Sequence, residues 1–431
     1  MNTQVSPEVA PATPGPFHIW VICQYFLPEP GAPSARIAGL AKSWQQAGAK
    51  VTVLTGIPNH PNGVVPESYR NKPAFMSEEI NGIPVRRHWL YVAPNKGKFP
   101  RLFNMVSFAA SVWWANRKAA DRPDVIIASS PSFFCVASAW LLARRHRARF
   151  VFEVRDLWPA IFLQMGILKP GFIYNMLEKM EMFLYRRADS IVTVTRSFAR
   201  QITSRGIRAD KIITIFNGVS DADYEAALKP RQSGAITQLK ARLGLSPLTK
   251  VVLYIGNHGE AQALSQLVDA ARLLVKRTDV TFLFVGQGAD KERLEAYARG
   301  VPNVQFLPPV PHTETWTYYG MADINIVCLK NIPDFEMFIP SKMFEIMAAQ
   351  GCAVAGLRGE GAEIMHESGC AMVVGSEDPD AMAEAIATLL DDPARRESMA
   401  KAGRAYVGKY FLHSQLAHAY LDHMLKLTGR A

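Results

Sequence analysis

The sequence predicts an α/β protein built from two doubly wound, Rossmann-like domains. Three observations carry that prediction. Short apolar runs alternate with helical periods, the alternation starts afresh near residue 250, and 431 residues are more than one hydrophobic core holds. Strands that alternate with helices pair in parallel, and such sheets bind ligands at the carboxyl ends of their strands. Two such domains facing one another would place a substrate in the cleft between them.

Residues 1–16 are rich in Pro, Ala and Thr, with no basic start and no long apolar run, so a disordered N-terminus is expected rather than a signal peptide. A first domain over 17–217 begins with a buried strand at 17–23. A helical period over 36–48 stops at glycine, and a second strand follows at 50–55. Strands at 125–128, 149–154, 190–194 and 211–215 continue the series. A polar stretch with Pro230, Gln232 and Ser233 marks the seam. The second domain, 218–405, restarts at 250–255, and its first helix carries Leu264, Leu267, Val268, Ala271 and Leu274 on one face. Further strands are expected at 281–285, 304–307, 324–327 and 353–355, and a C-terminal helix at 406–431 is expected to pack back on the first domain.

The composition is that of an ordinary globular protein, 49% hydrophobic with a mean hydropathy of +0.01. Five scattered cysteines without metal spacing suit free thiols in a reducing compartment. No run of about 18 uncharged apolar residues suggests a membrane-spanning helix. The net charge of +10 is uneven. Residues 1–217 hold 27 Lys and Arg against 13 Asp and Glu, a net of +14, whereas residues 218–431 hold 21 against 25, a net of −4. Nucleic acid, an anionic membrane surface or a lipid phosphate would each suit the basic half. No nucleic-acid module is recognisable, and the basic half is also the apolar one.

Residues 340–351 (PSKMFEIMAAQG) are the most informative stretch. A loop runs into a helix at Ser341 and Lys342, with Glu345 one turn on. A helix start offers unpaired N–H groups and a positive dipole end, Ser341 suits a cap, and Lys342 adds a charge for the same phosphate oxygens. Glu345 suits the paired hydroxyls of a ribose. Together these residues describe a nucleotide-sugar site; the plain alternative is an amphipathic helix with a capping Ser and a surface Lys and Glu. In the first domain, Gly31 would let backbone approach a ligand and Arg36 would pair an anion, or both belong to an ordinary turn. His60 would orient a sugar hydroxyl or serve only the loop. Arg155 and Asp156 close a buried strand and need either a purpose or an internal partner such as Glu153. The Asp221–Asp223 pair is discounted as a metal site because it lies in the linker. Gly286 and Gly288 are too short a motif for a dinucleotide fingerprint.

Seven stretches taken together, in this order and spacing, resemble a family 4 glycosyltransferase of the GT-B fold, most closely the WbuB-like group of bacterial surface-polysaccharide enzymes. They are QYFLPEPGAPSAR (24–36), VTVLTGIPNHPNG (51–63), VRDLWP (154–159), NGV (217–219), YIGNHGEAQAL (254–264), VGQG (285–288) and the 340–351 stretch. The resemblance implies a retaining, metal-independent transferase with no cofactor. A nucleoside-diphosphate sugar, UDP-linked, would sit in the second domain and a polyprenyl-diphosphate-linked saccharide in the first, in O-antigen or capsule synthesis at the cytoplasmic face of the plasma membrane. It makes Arg155, Asp156 and Glu345 the catalytic candidates. It assigns Gly31, Asn257, His258, Ser341, Lys342 and Glu345 to the donor, with Val310 in the loop that holds the base. The sequence also departs from the family. Arg155 stands where a His is usual. Asn257 and Gln262 replace an Arg/Lys diphosphate clamp. Met337 replaces the first Glu of a Glu-x7-Glu motif, which favours a deoxy or N-acetylated sugar. A sugar-nucleotide 2-epimerase of the same fold is the rival enzyme, and a nucleic-acid-binding protein the rival of another class.

Residues 96–118 interleave cations with aromatics: Lys96, Lys98 and Arg101 flank Phe99, Phe103, Phe108, Trp113 and Trp114. The sequence later adds Arg144, Arg145 and Arg147. This pattern suits docking on anionic lipid, against the alternative of a core helix.

Overall fold

A computed structural model describes residues 15–29, 31–60, 63–92, 98–130, 132–160, 163 and 169–430. They form two compact units. The first takes residues up to Glu153, Trp158–Asp189 and the chain from Met424 onward; the second takes Val154–Leu157 and Ser190–His423.

The first unit is built on β1 (His18–Ile22), β2 (Lys50–Gly56), β3 (Met76–Ile80), β4 (Ile83–His88), β5 (Val125–Ser129) and β6 (Arg149–Val154), in the order β3-β4-β2-β1-β5-β6. All neighbours are parallel except the β3–β4 hairpin. Every residue of β1 and β5 is buried, because helices cover both sheet faces, and this is why these strands read as unbroken apolar runs. The hairpin lies outside the βα repeat and was not expected. Its signal is Asn81-Gly82, whose φ angles of 53° and 79° make the left-handed turn that suits twisted strands.

The second unit holds a parallel pair, β7 (Ser190–Thr193) with β8 (Ile212–Thr214), and a six-stranded sheet. The six are β9 (Lys250–Ile255), β10 (Val280–Val285), β11 (Val304–Leu307), β12 (Ile324–Cys328), β13 (Ala353–Gly356) and β14 (Ala371–Val374), in the order β11-β10-β9-β12-β13-β14, all parallel. The pleat sends Val251, Leu253 and Ile255 to one core face, with Met343, Phe344 and Met347. Val252 and Tyr254 go to the other, with Phe282 and Phe284. Each such burial contributes about 1.5–3 kcal/mol relative to exposure. The short edge strand β14 was also unexpected. All five cysteines are free and buried.

Candidate functional site

The order of the second sheet reverses between β9 and β12, and an open α/β sheet forms its ligand crevice at such a point, beyond the carboxyl ends of the strands. Two glycine-bearing turns close this edge. A Cβ on Gly286 would lie 1.9 Å from the Gly256 carbonyl oxygen, and one on Gly288 would lie 2.3 Å from that of His258. Close approach of the turns after β9 and β10 is therefore what this glycine pair serves. The amide of His258 donates to the Gln287 carbonyl at 2.9 Å. Lys291 ties in the third turn, its ammonium donating to the carbonyls of Gly286 at 2.8 Å and Leu307 at 3.0 Å.

Above these turns lies Lys342, at the start of the helix Lys342–Ala348. Its stem is half-buried, but its Nζ is cut off from solvent and has no hydrogen-bond partner among the described residues. The ammonium sits 3.5 Å from the centroid of the Tyr254 ring, close against Gly256, where a Cβ would lie 3.0 Å away. A cation–π contact offsets about 0.5–2 kcal/mol, less than the cost of burying a charge without hydrogen bonds. Burial accordingly pulls the Lys342 pKa down to about 8, with Cys328 and Glu345 opposing the shift. His258 is fully buried beside Tyr254, Phe284 and Phe306, and neither ring nitrogen makes a hydrogen bond of good geometry. Burial first, then Lys291 and Lys342, hold its pKa near 4, so the imidazole is neutral and free to accept or donate one hydrogen bond.

Glu345 stands one turn beyond Lys342, partly exposed. Its Oε2 accepts from the Tyr319 hydroxyl at 2.9 Å and its Oε1 lies 3.8 Å from His312 Nε2. That carboxylate raises the His312 pKa, and burial with Glu345 beside it drives the Tyr319 hydroxyl well up. Tyr319 therefore stays a neutral donor that fixes the carboxylate's orientation. Asn257 is exposed at the same edge, its amide 3.5 Å from Gln262. Val310 is half-buried in the loop after β11, packed on the core. The structure thus gathers Lys342, Glu345, His258 and Asn257 at one sheet edge. Tyr254, Lys291, His312 and Tyr319 support them and carry no sequence signal beyond their residue type.

Ser341 corrects an expectation. Its own backbone is already helical (φ −59°, ψ −29°), so its side chain is turned away from the first amides and makes no capping bond. The Asp221–Asp223 pair makes hydrogen bonds within the fold. Ser220 caps the helix Asp221–Ala226 through Asp223, and Asp221 accepts from Ser414.

Arg155 and Asp156 follow β6, half-buried, and burial pushes the Asp156 carboxyl up against the opposing pull of Arg155. The anion that Arg36 pairs is an internal one. Its guanidinium bonds Glu153 at 3.0 and 3.2 Å, with the residues 4% and 0% exposed, so Glu153 is taken by Arg36. Gly31 holds φ 116° ahead of the helix Ala32–Gln46, and a Cβ there would meet only Pro33, so its backbone angle is what requires glycine. The His60 ring is exposed and packs on Tyr25, while its amide and that of Asn59 bind the buried Glu29 carboxylate at 2.8 Å. Glu29, which the sequence did not single out, joins the loops after β1 and β2.

On the helix Lys98–Asn116, Phe108 and Val112 face the core while Leu102, Phe103, Val106 and Trp114 are exposed, Trp114 by 64%. Arg117 stacks 3.4 Å from the Trp114 ring, and Trp113 is half-buried. Lys96 lies outside the described residues, as do the side chains of Lys98 and Arg101.

Comparison with known proteins shows the family and the fold. Residues 31–218 match the glycosyl transferase 4-like domain, and residues 236–406 match the glycosyl transferases group 1 domain. The putative colanic acid biosynthesis glycosyl transferase WcaI of Escherichia coli K12 is 30% identical over 344 residues, 74% of this chain and 80% of that protein. Sucrose-phosphate synthase from Thermosynechococcus elongatus shares the fold with a TM-score of 0.71 at 17% identity, over 96% of this chain and 100% of that one. Anabaena HepE in complex with UDP-glucose does so with a TM-score of 0.69 at 15% identity, over 95% and 99%. The structural likenesses establish the fold and the sequence matches establish the descent: the chain belongs to the family 4 glycosyltransferases of the GT-B fold.

Proposed function

We propose that this glycosyltransferase moves a sugar, with retention, from a UDP-linked donor to a polyprenyl-diphosphate-linked saccharide in surface-polysaccharide synthesis. The observation that carries the reading is the buried ammonium of Lys342, without a hydrogen-bond partner among the described residues, one turn from the Glu345 carboxylate. A diphosphate supplies what Lys342 lacks, and ribose hydroxyls suit Glu345, whose second neighbour, Tyr319, holds it in place. The UDP-glucose complex of HepE and the colanic acid role in the name of WcaI support the donor and pathway class.

As the glycosidic bond to the diphosphate breaks, negative charge grows on the leaving oxygens. A fixed cation in a dry site stabilises that charge more than it stabilises the ground state. Lys342 takes this role, and transfer survives chelation. The acceptor hydroxyl attacks from the face the diphosphate leaves, and its proton passes to the departing phosphate. Neutral His258 and the Asn257 amide fit as hydrogen-bonding groups for the phosphates or sugar, and Asp156 for a sugar hydroxyl.

The test is calorimetry with UDP. Glu345→Ala is expected to weaken binding by about 1–3 kcal/mol, the cost of a lost charge-assisted hydrogen bond. Wild-type affinity in both Glu345→Ala and Lys342→Ala overturns the site.

The exposed face of the helix Lys98–Asn116, with a groove lined by Trp89, Tyr91, Phe103, Val106, Ser107 and Ala110, supports peripheral docking on anionic lipid at the cytoplasmic face. No helix among the described residues is long and apolar enough to cross a membrane. Charge reversal at Lys96, Lys98 and Arg101 is expected to release the protein from anionic vesicles, at about 1 kcal/mol per cation, and to leave UDP binding unchanged. Equal sedimentation with neutral and anionic vesicles argues against docking.

A further inference from the structure

We propose that the first unit carries a second binding site, for a phosphate-bearing ligand, in an arginine-lined cavity at the edge of the sheet where its strands begin. The cavity, of about 250 Å³, lies between Trp140, Arg144, Arg147, Arg149, Arg187 and Asp189. β6 starts here at Arg149, and the helices Phe133–His146 and Phe172–Arg187 end here. The ligand crevice of a doubly wound sheet lies at the opposite edge, beyond the carboxyl ends of the strands. Sugar transfer makes no use of this place.

Four guanidiniums face one carboxylate, and that carboxylate is already committed. Asp189 accepts from Arg149 at 3.0 Å and from the Phe150 amide at 2.8 Å. Arg144 lies over the Trp140 ring and Arg187 over the Phe183 ring. Neither of these, nor Arg147, has a hydrogen bond to its guanidinium or an ion pair among the described residues. Cations at helix C-termini are ordinarily explained by the helix dipole, and that account covers Arg144 and Arg187, each in a last turn. Arg147, the residue after the first of these helices, shares the dipole's attraction but carries a backbone conformation that the dipole does not require. This residue occupies the left-handed position after the helix, φ 59° and ψ 33°, where glycine is the residue the backbone favours. An arginine here works against the local conformation and places a long cationic side chain at the cavity.

Three guanidiniums without a hydrogen-bond acceptor or ionic partner among the described residues offer parallel N–H pairs to several oxygens at once, which matches a phosphate monoester or diphosphate better than a single carboxylate. Trp140 adds an apolar wall beside the charge. The headgroup of an anionic lipid and a free phosphorylated compound share this chemistry.

The test uses the full chain at low salt, with arginine labelling by phenylglyoxal read residue by residue by mass spectrometry. Inorganic pyrophosphate, or vesicles containing phosphatidic acid, is expected to slow labelling of Arg144, Arg147 and Arg187 by about tenfold, as bidentate pairing occupies the guanidinium. Exposed Arg299 of the second unit should label at its usual rate. Protection by phosphatidic acid vesicles but not by phosphatidylcholine vesicles identifies a lipid headgroup. Protection by pyrophosphate alone identifies a free phosphate compound. Arg147→Gly is expected to melt at the same or a higher temperature and to lose protection at Arg144 and Arg187, while sugar transfer to a soluble acceptor is unchanged. Arg144→Gln should lose protection at Arg147 in the same way. Unchanged labelling with both probes, protection retained in both variants, or a lower melting temperature for Arg147→Gly overturns the proposal.

Discussion

The first sheet buries the guanidinium of Arg36 and the second buries the ammonium of Lys342, and the two charges meet opposite fates. Arg36 finds Glu153, itself fully buried, at 3.0 Å, so its charge is neutralised within the fold. Lys342 lies on the face of Tyr254 and finds no hydrogen-bond partner among the described residues. Both lie in helices that follow loops of a βα repeat, and from sequence both suit an anion. A buried cation with a carboxylate partner is a structural element. A buried cation without one is what a ligand site left open would show, and that is the reading proposed for Lys342.

The comparison breaks most visibly at Arg36. Replacing it with methionine strands the Glu153 carboxylate and is expected to cost about 3–5 kcal/mol of stability, read as a lower midpoint of denaturant unfolding. UDP affinity of the folded fraction should stay at the wild-type value. An unchanged midpoint would show that the pair contributes nothing to the fold.

Lys342→Met is expected to act the other way. It keeps the stem and removes a costly charge, so the melting temperature holds or rises, while the transfer rate falls about 10²–10³-fold with the loss of transition-state stabilisation. A wild-type rate in this variant would remove Lys342 from the mechanism.

The smallest effect is a pH dependence that sharpens the contrast. The folded pKa of Lys342 is about 8, below its ordinary value of 10.5. Between these values the unfolded chain binds more protons at this residue, so its contribution to the stability of the free protein rises with pH across that window. Ligand affinity runs in the reverse direction. A bound diphosphate demands the charged ammonium, so affinity should be level below pH 8 and fall about tenfold per unit above it, with proton uptake on binding. Calorimetry in buffers of different ionisation enthalpy reads that uptake. No proton uptake at pH 9 would mean that the phosphate does not meet this nitrogen.

The repeat architecture was legible because fully buried parallel strands leave continuous apolar runs, as in β1, β5 and β9. The β3–β4 hairpin escaped notice because Glu78, Glu79, Arg86 and Arg87 break such a run, although Asn81-Gly82 marked its turn. At the site, Lys342 and Glu345 were legible from a helix start with a cation and a carboxylate one turn apart. The cap assigned to Ser341 was not, because a residue type does not reveal that its own backbone has joined the helix. Arg36 could not be told from Lys342 by sequence, since its partner stands 117 residues away. The service of Lys291 to two backbone carbonyls, and of Tyr319 to Glu345, depends on tertiary approach in the same way.

On the proposed function, the unmet charge of Lys342 would also tie the durability of this protein to its supply of donor. A ligand that neutralises the charge binds only the native chain, and at a hundredfold excess over its dissociation constant it adds about 2.7 kcal/mol to the free energy of unfolding. A cell rich in the proposed donor would therefore hold a hardened enzyme. When the pool ran down, the same molecules would open more often and become targets for proteases, so enzyme abundance would follow the supply of donor.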